Sequence, residues 1–135
     1  MALARFKDQR ITRRLSGKPA HPSIDGLKTT FLRDVMTTYY ATFLRPGTLW
    51  DPDKTVREQP YWDDHARFMD SLFEAGVVIL GGPFADRTGS MVIAAADNAA
   101  RVRELFRTDP WTEHDVLVVA DVKEWIIFLD ARERR

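Results

Sequence analysis

The sequence predicts one α+β domain, in which strands and helices follow in the order βαββαβ behind an N-terminal extension. Two observations predict this class. The chain of 135 residues is 44% hydrophobic and 30% charged with no net charge, which is typical of a single soluble globular domain. From residue 37 onward, short runs of β-branched and aromatic residues alternate with segments whose apolar residues recur every three or four positions. These are the patterns of strands and of amphipathic helices.

The composition also excludes several classes of site and location. The chain has no cysteine, which excludes disulfides, thiolate–zinc sites, iron–sulfur clusters and a thiol nucleophile, and leaves the redox compartment undetermined. The longest apolar stretch, residues 75–85, is interrupted by glycines and a proline and falls short of the roughly 20 residues that span a membrane. Because the N-terminus has no apolar signal core, we expect a cytoplasmic protein.

The first 36 residues differ in charge from the rest of the chain. They carry eight Lys or Arg against three Asp or Glu, whereas residues 37–135 carry 12 against 17. We interpret residues 1–36 as a basic extension with a short helix from Ser23 to Val35, residues 37–130 as the domain, and residues 131–135 as a solvated tail. A solvated arm, an arm that packs on a partner, a transit peptide and a nucleic-acid contact all remain open for the extension.

A polar loop separates the first strand and the first helix of the domain. Residues 38–44 are rich in aromatic and β-branched residues and form the first predicted strand. In the loop at residues 48–59, we expect Trp50 to pack back on the domain. Pro60 suits the first turn of the helix that follows, and Gly76 suits its end. The predicted buried stripe of this helix consists of Trp62, Ala66, Met69, Leu72 and Phe73.

The second half of the domain begins with a hairpin. Residues 77–80 form a β-branched run that predicts a buried strand, and residues 90–95 predict its partner across a turn. Asp97 is the predicted cap of the second helix, which ends at Asp109-Pro110 because a residue before proline is driven out of helical space. The remaining predicted segments are a strand at residues 116–120 and a further apolar segment at residues 125–129.

This order is the split βαβ arrangement of ferredoxin-like domains, whose antiparallel sheet carries both helices on one face. The opposite face keeps apolar side chains, including members of the strand at 116–120. An exposed apolar face of that size is typical of a partner surface, and twofold interfaces are the commonest oligomeric arrangement. We therefore predict a homodimer in which two sheets pack face to face, with the 125–129 segment extending toward the junction.

His65 is the candidate acid–base residue. It borders the buried stripe of the first helix, and histidine is the side chain best suited to exchange a proton near neutral pH. Asp63 and Asp64 are too close in sequence to face it on a helix, so a carboxylate partner has to come from another element. Two interpretations stay open at this point, namely a catalytic histidine and a histidine that bonds a backbone carbonyl at the edge of the core.

The other candidate site residues lie near turns and strand ends. Asp109 follows the second helix, where it either joins a site or only ends the helix. Residues 81–84 lack the spacing and the lysine of a phosphate loop, so they are a pocket wall or a simple strand exit. The predicted binding residues are Trp62, Gly82, Phe84, Ser90 and Trp111. No metal is expected, because the sequence positions of His21, His65 and His114 lack metal-ligand spacing. No cofactor is expected either.

Four segments of the chain carry a recognisable pattern, namely His65–Met69, Ala75–Pro83, Gly89–Ile93 and Thr108–Trp111. Together, their order and spacing resemble the YciI-like (YCII-related) family over roughly residues 37–125. The resemblance implies a dimeric ferredoxin-like fold related to muconolactone isomerase and other dimeric α+β barrels. It also implies that His65 and Asp109 meet in a pocket as a dyad. One branch of the family is known for cofactor-free dehydrochlorination of a chlorinated hydroquinone.

Two functions are compatible with this sequence. In the first, His65 is a general base held by Asp109 in a cofactor-free elimination or isomerisation of a small cyclic or phenolic substrate. Backbone N–H groups near Gly82, or the Ser90 hydroxyl, would steady the developing negative charge. In the second, the domain is a non-catalytic module that binds a small molecule or another protein, and the basic extension mediates assembly. Nucleic-acid binding is disfavoured because the domain is acidic, and no membrane partner is expected.

Overall fold

The computed structural model describes residues 37–133, which form a four-stranded antiparallel sheet with helices packed against it. The strands are β1 (Thr38–Pro46), β2 (Val78–Pro83), β3 (Ser90–Ala96) and β4 (Leu117–Trp125). The helices are α1 (Trp62–Glu74), α2 (Ala99–Arg107) and the one-turn α3 (Pro110–Glu113), and two 3₁₀ turns lie at Val56–Glu58 and Ala131–Glu133. The predictions for residues 1–36, including the helix from Ser23 to Val35, and for residues 134–135 lie outside the described residues.

The strands lie in the order β2-β3-β1-β4, and every neighbouring pair is antiparallel. The chain passes from each central strand through a helix to an edge strand, from β1 through α1 to β2 and from β3 through α2 to β4. This is the βαββαβ topology of the split βαβ arrangement. The predicted ferredoxin-like α+β fold is therefore confirmed.

The core lies between the sheet and the two longer helices. Tyr40, Leu44 and Val92 of the central strands are buried in one cluster with Ala66 of α1 and Phe106 of α2. Because side chains alternate along a strand, the odd-numbered residues next to them in β1 and β3 face the other side of the sheet. The predicted stripe of the first helix is confirmed in this cluster at Trp62, Ala66, Met69 and Leu72.

All four strands extend beyond their predicted ends, although β3 does so by only one residue, to Ala96. β1 continues through Pro46, which pairs with Leu117 at the end of the strand, where a proline is tolerated. β2 continues through Gly81-Gly82-Pro83, which was predicted as the strand exit, because β3 supplies a partner for each of these residues. The predicted burial of residues 77–80 is confirmed only in part, since β2 is an edge strand in which Val78 is buried and Ile79 and Leu80 are half-buried. β4 runs on to Trp125 and so includes the start of the further apolar segment.

Two helix starts differ from the predictions. α1 begins at Trp62, two residues after Pro60, because Tyr61 has a left-handed backbone (φ 63°) and occupies the N-cap position. The cap of α2 is Asn98, whose side chain accepts a hydrogen bond of 2.8 Å from the backbone N–H of Arg101. Asp97, the predicted cap, lies in the exposed bend between β3 and the helix and is one residue too early to reach the free N–H groups of the first turn.

Apolar side chains remain on the outer face of the sheet and beyond β4. On the outer face, the half-buried Phe43 pairs across the strands with the half-buried Met91, whereas the neighbouring pair of Ala41 and Ile93 is buried. The residues after β4 do not continue the sheet, and three apolar side chains there, Ile126, Phe128 and Leu129, are 71%, 89% and 94% exposed. Within residues 37–133, no helix combines the length and the apolar character needed to cross a bilayer.

Candidate active site

His65 and Asp109 meet inside the protein, although 44 positions separate them in the sequence. Nδ1 of His65 lies 3.0 Å from each of the two carboxylate oxygens of Asp109. Asp109 has no exposed surface, and His65 is only 7% exposed. Within the described residues, the partner of this ring nitrogen is therefore a buried carboxylate from another element rather than a backbone carbonyl.

A short helix that the sequence analysis did not predict brings Asp109 to this position. Asp109 has an extended backbone (φ −68°, ψ 127°) and caps α3, because its carboxylate accepts a hydrogen bond of 2.9 Å from the backbone N–H of Trp111. A residue before proline is driven toward extended backbone, and proline suits the first position of a helix. The Asp109-Pro110 pair therefore follows the end of α2, as expected, and also begins α3.

Trp111 fixes the imidazole from a second direction. The rings of Trp111 and His65 are stacked, with 3.8 Å between their centroids and 7° between their planes. The indole N–H of Trp111 donates a hydrogen bond of 2.7 Å to the backbone oxygen of Pro60, which lies just ahead of α1. One side chain thus holds the helix that carries His65 against the turn that carries Asp109.

This arrangement assigns different roles to the two ring nitrogens of His65. An ionised carboxylate only accepts hydrogen bonds, so Nδ1 carries a proton and its N–H donates a hydrogen bond to Asp109. In the neutral ring, the lone pair then lies on Nε2. No described residue bonds to Nε2, and His65 lines a cavity. The pair has the geometry of a general base oriented by a carboxylate.

The cavity beside His65 has a volume of about 90 Å³ and a mainly apolar wall. Four of the predicted binding residues line it, namely Trp62, Gly82, Ser90 and Trp111. Phe84 does not line it, because β2 runs on to Pro83 and carries Phe84 past the cavity to a neighbouring one. Mainly apolar cavities with a few polar groups are typical of small-molecule sites.

Several further lining residues were not among the sequence candidates, and they include Asp70, Trp50 and Val56. Asp70 is a buried carboxylate on α1. Its position four residues after Ala66, on the apolar face of the helix, was the sequence feature that could have indicated a buried acid. Trp50 and Val56 come from the loop between β1 and α1, where no periodicity marks a lining residue. The expectation that Trp50 packs back on the domain is confirmed.

The other histidines lie away from this cavity or outside the described residues. His114 is exposed and stacks on Tyr61, with 3.9 Å between the ring centroids. His21 lies in the extension, which is not described. Between residues 37 and 133, no group of three or more His, Asp or Glu side chains is arranged to hold a metal ion.

The segment that contains this site matches a known family. A family model described as the YCII-related domain matches residues 45–126, which is more than half of the chain. The matched segment begins near the end of β1, ends just after β4, and includes both His65 and Asp109. No curated protein matches the chain.

Proposed function

The chain belongs to the YCII-related family, as the pattern in its sequence indicated, and on this premise we propose that it is a cofactor-independent enzyme of acid–base chemistry. His65 takes a proton from a small cyclic or phenolic substrate held in the adjoining cavity, and the reaction is an elimination or an isomerisation. The observation that carries this proposal is the buried contact of 3.0 Å between Nδ1 of His65 and the carboxylate of Asp109.

In the proposed reaction, the lone pair on Nε2 of His65 accepts the substrate proton. In an elimination, the electron pair of the broken bond to hydrogen forms a double bond and expels a leaving group from the neighbouring carbon. In an isomerisation, Nε2 returns the proton to a different atom. The imidazolium that forms is stabilised by Asp109, because the carboxylate lies beside Nδ1 and is shielded from water. A positioned general base contributes roughly a hundred- to ten-thousandfold in rate.

The wall of the cavity supports a ring-shaped, largely apolar substrate. Aromatic residues on it, among them Trp62, Phe106 and Trp111, offer flat surfaces for a ring. Ser90 and Gly82 lie on the same wall. We propose that the Ser90 hydroxyl donates a hydrogen bond to the substrate oxygen on which negative charge develops. A few polar groups in an apolar cavity orient a small ligand in this way.

Exchange and elimination assays test the proposal. The protein is incubated in D₂O with small phenols, cyclic ketones, lactones and chlorinated hydroquinones. NMR measures deuterium incorporation, and ion chromatography measures released chloride. We expect turnover of at least one class, and at least a hundredfold loss in His65→Gln, because the base is removed. His114→Ala is the matched control, since that ring is exposed and lines no part of the cavity.

Two outcomes would contradict the enzyme proposal. Turnover that survives His65→Gln would show that the base is elsewhere. Ligands that raise the melting temperature of the wild type without any exchange or release would favour the non-catalytic binding module, since binding alone stabilises a folded protein.

We also propose that the protein acts as a homodimer formed through the outer face of the sheet. Supporting observations are the half-buried apolar pair of Phe43 and Met91 on that face, and the exposed Phe128 and Leu129 just beyond β4. Exposed apolar side chains in one region are typical of a partner surface.

A further inference from the structure

A second cavity adjoins the one beside His65, and the two share a wall. It has a volume of about 140 Å³. The shared wall consists of Trp50, Val56, Pro83, Ser90 and Leu117. The residues that line only the second cavity are Pro46, Phe84, Arg87 and Gly89. Both cavities have mainly apolar walls, so one apolar ligand would fit the two if the wall between them were opened.

Two of the shared residues belong to the loop between β1 and α1 rather than to the sheet. Trp50 lies four residues after β1 ends, and Val56 begins the first 3₁₀ turn. The ring of Trp50 meets the ring of Trp111 edge to face, with 5.8 Å between the centroids. Trp50 therefore contacts the residue that stacks on His65, and it also lines the second cavity.

Side-chain hydrogen bonds hold this loop in place. Gln59, which is 3% exposed, accepts a hydrogen bond of 2.8 Å from the backbone N–H of Asp51 and donates one of 2.7 Å to the backbone oxygen of the same residue. The guanidinium of Arg87, in the turn between β2 and β3, donates a hydrogen bond of 2.7 Å to the backbone oxygen of Lys54. The loop is thus fixed both within itself and to the hairpin.

We propose that Trp50, together with Val56, is the partition that sets the length of ligand the site accepts. The cavity beside His65 has a volume of only about 90 Å³, which favours a small ring, and the partition keeps a substituent on that ring out of the second cavity. Wild-type protein therefore selects unsubstituted or compact rings, whereas a smaller residue at position 50 opens a channel for a ring with a linear apolar chain. This inference rests on the proposed function only in taking the first cavity as the ligand site.

A series of alkylbenzenes tests the partition, because apolar cavities in proteins bind such probes. Binding of benzene, ethylbenzene and n-butylbenzene is measured by titration calorimetry and by thermal shift. We expect wild-type protein to bind benzene at least as tightly as n-butylbenzene. In Trp50→Ala, we expect n-butylbenzene to bind at least tenfold more tightly than in the wild type, since each methylene that becomes buried raises the affinity roughly fourfold.

Three further variants make the result specific. Val56→Ala opens the same wall with a smaller change. In this variant too, n-butylbenzene should bind more tightly than benzene, even if Trp50→Ala folds poorly. Leu49→Ala, a neighbouring residue that is 45% exposed and lines neither cavity, should behave as the wild type does. Phe84 lines only the second cavity, so a larger ring at this position should fill that cavity. Trp50→Ala combined with Phe84→Trp should therefore lose the gain in affinity for n-butylbenzene.

The inference is overturned if folded Trp50→Ala and Val56→Ala rank the probes as the wild type does. It is also overturned if the gain survives Phe84→Trp, or if no alkylbenzene stabilises any of these proteins. Alkylbenzenes have no acidic proton, so a failure of the proposed acid–base chemistry would leave this measurement unchanged.

Discussion

Asp109 carries a buried negative charge that two hydrogen bonds satisfy. Its carboxylate accepts from Nδ1 of His65 and from the backbone N–H of Trp111. A charge without exposed surface is tolerated in a protein only when it is paired and hydrogen-bonded. The residue therefore serves two purposes at once, because it orients the imidazole and it begins α3.

Removing this carboxylate should destabilise the fold strongly. We expect Asp109→Ala to lower the free energy of unfolding by about 2–4 kcal/mol, because it leaves the buried N–H of His65 without its acceptor and removes the cap of α3. Urea unfolding followed by circular dichroism measures the change. Asp97→Ala is the matched control, since that exposed carboxylate caps no helix and should change stability by less than about 0.5 kcal/mol. Equal losses in the two variants would contradict this role of Asp109.

The hydrogen bonds of a second carboxylate, that of Asp115, make the stability of the fold depend on pH. The hydroxyl and the backbone N–H of Thr48 both donate to it, and these bonds hold the pKa of Asp115 below its ordinary value of 3.8. Because the folded pKa is depressed, the unfolded chain takes up the proton first. The bonds therefore stabilise the fold fully above pH 3.8, and this contribution is lost as the pH falls through the lower folded value.

Thr48→Val removes the hydroxyl and tests this dependence. At neutral pH, we expect the variant to melt at a lower temperature than the wild type. The gap should narrow as the pH is lowered below 3.8, because a protonated Asp115 is a weaker acceptor. Thermal melts of both proteins across this range measure the gap, and a gap that stays constant or widens in acid would contradict the assignment.

At the scale of elements, the start of α2 depends on a single residue. Asn98 accepts the hydrogen bond from Arg101 that satisfies one of the free N–H groups of the first turn. We expect Asn98→Ala to cost about 1 kcal/mol in unfolding free energy. Asp97→Ala is again the control. If denaturant titrations showed a larger loss of unfolding free energy for Asp97→Ala than for Asn98→Ala, the cap of α2 would be Asp97, as the sequence predicted.

The order and type of the elements were predictable from the sequence, but their ends were not. Runs of β-branched and aromatic residues located the strands, and the three- and four-residue spacing of apolar residues located α1. The continuation of β2 through Gly81-Gly82-Pro83 depends on pairing with β3, and no local signal encodes the presence of that partner. The cap of α2 was predicted one residue too early because Asp97 and Asn98 are neighbours of similar capping preference. The short helix α3 was missed because an Asp-Pro pair ends one helix as readily as it begins another.

The candidate site was predictable to a similar extent. His65 was found because it borders the buried stripe of a helix, whereas its pairing with Asp109 entered through the family resemblance. The distance of 3.0 Å between them depends on α3 and on Trp111, which are tertiary features. Asp70 carried a usable signal as an acid on an apolar face. Trp50 and Val56 reach the cavity through loop geometry, which hydrophobic periodicity does not describe.

At the scale of the whole molecule, the homodimer proposal makes a prediction about mass in solution. We expect light scattering to give the mass of two chains for the wild type. Replacing both Ile126 and Phe128 by Asp should shift the protein toward the mass of one chain, because these side chains are 71% and 89% exposed in the monomer and apolar. Leu49→Asp, an exposed apolar position on the loop after β1, is the control. A wild-type mass of one chain would contradict the proposal.

The protonation of one ring nitrogen decides whether the fold presents a base to its cavity. NMR of protein labelled with ¹⁵N-histidine distinguishes the two neutral tautomers of His65 directly, with His65→Gln used to assign the signal. We predict that Nδ1 carries the proton and Nε2 the lone pair in the wild type, and that Asp109→Ala, if folded, loses this preference. A neutral His65 protonated mainly on Nε2 in the wild type would contradict the account, since no lone pair would then face a substrate from that atom.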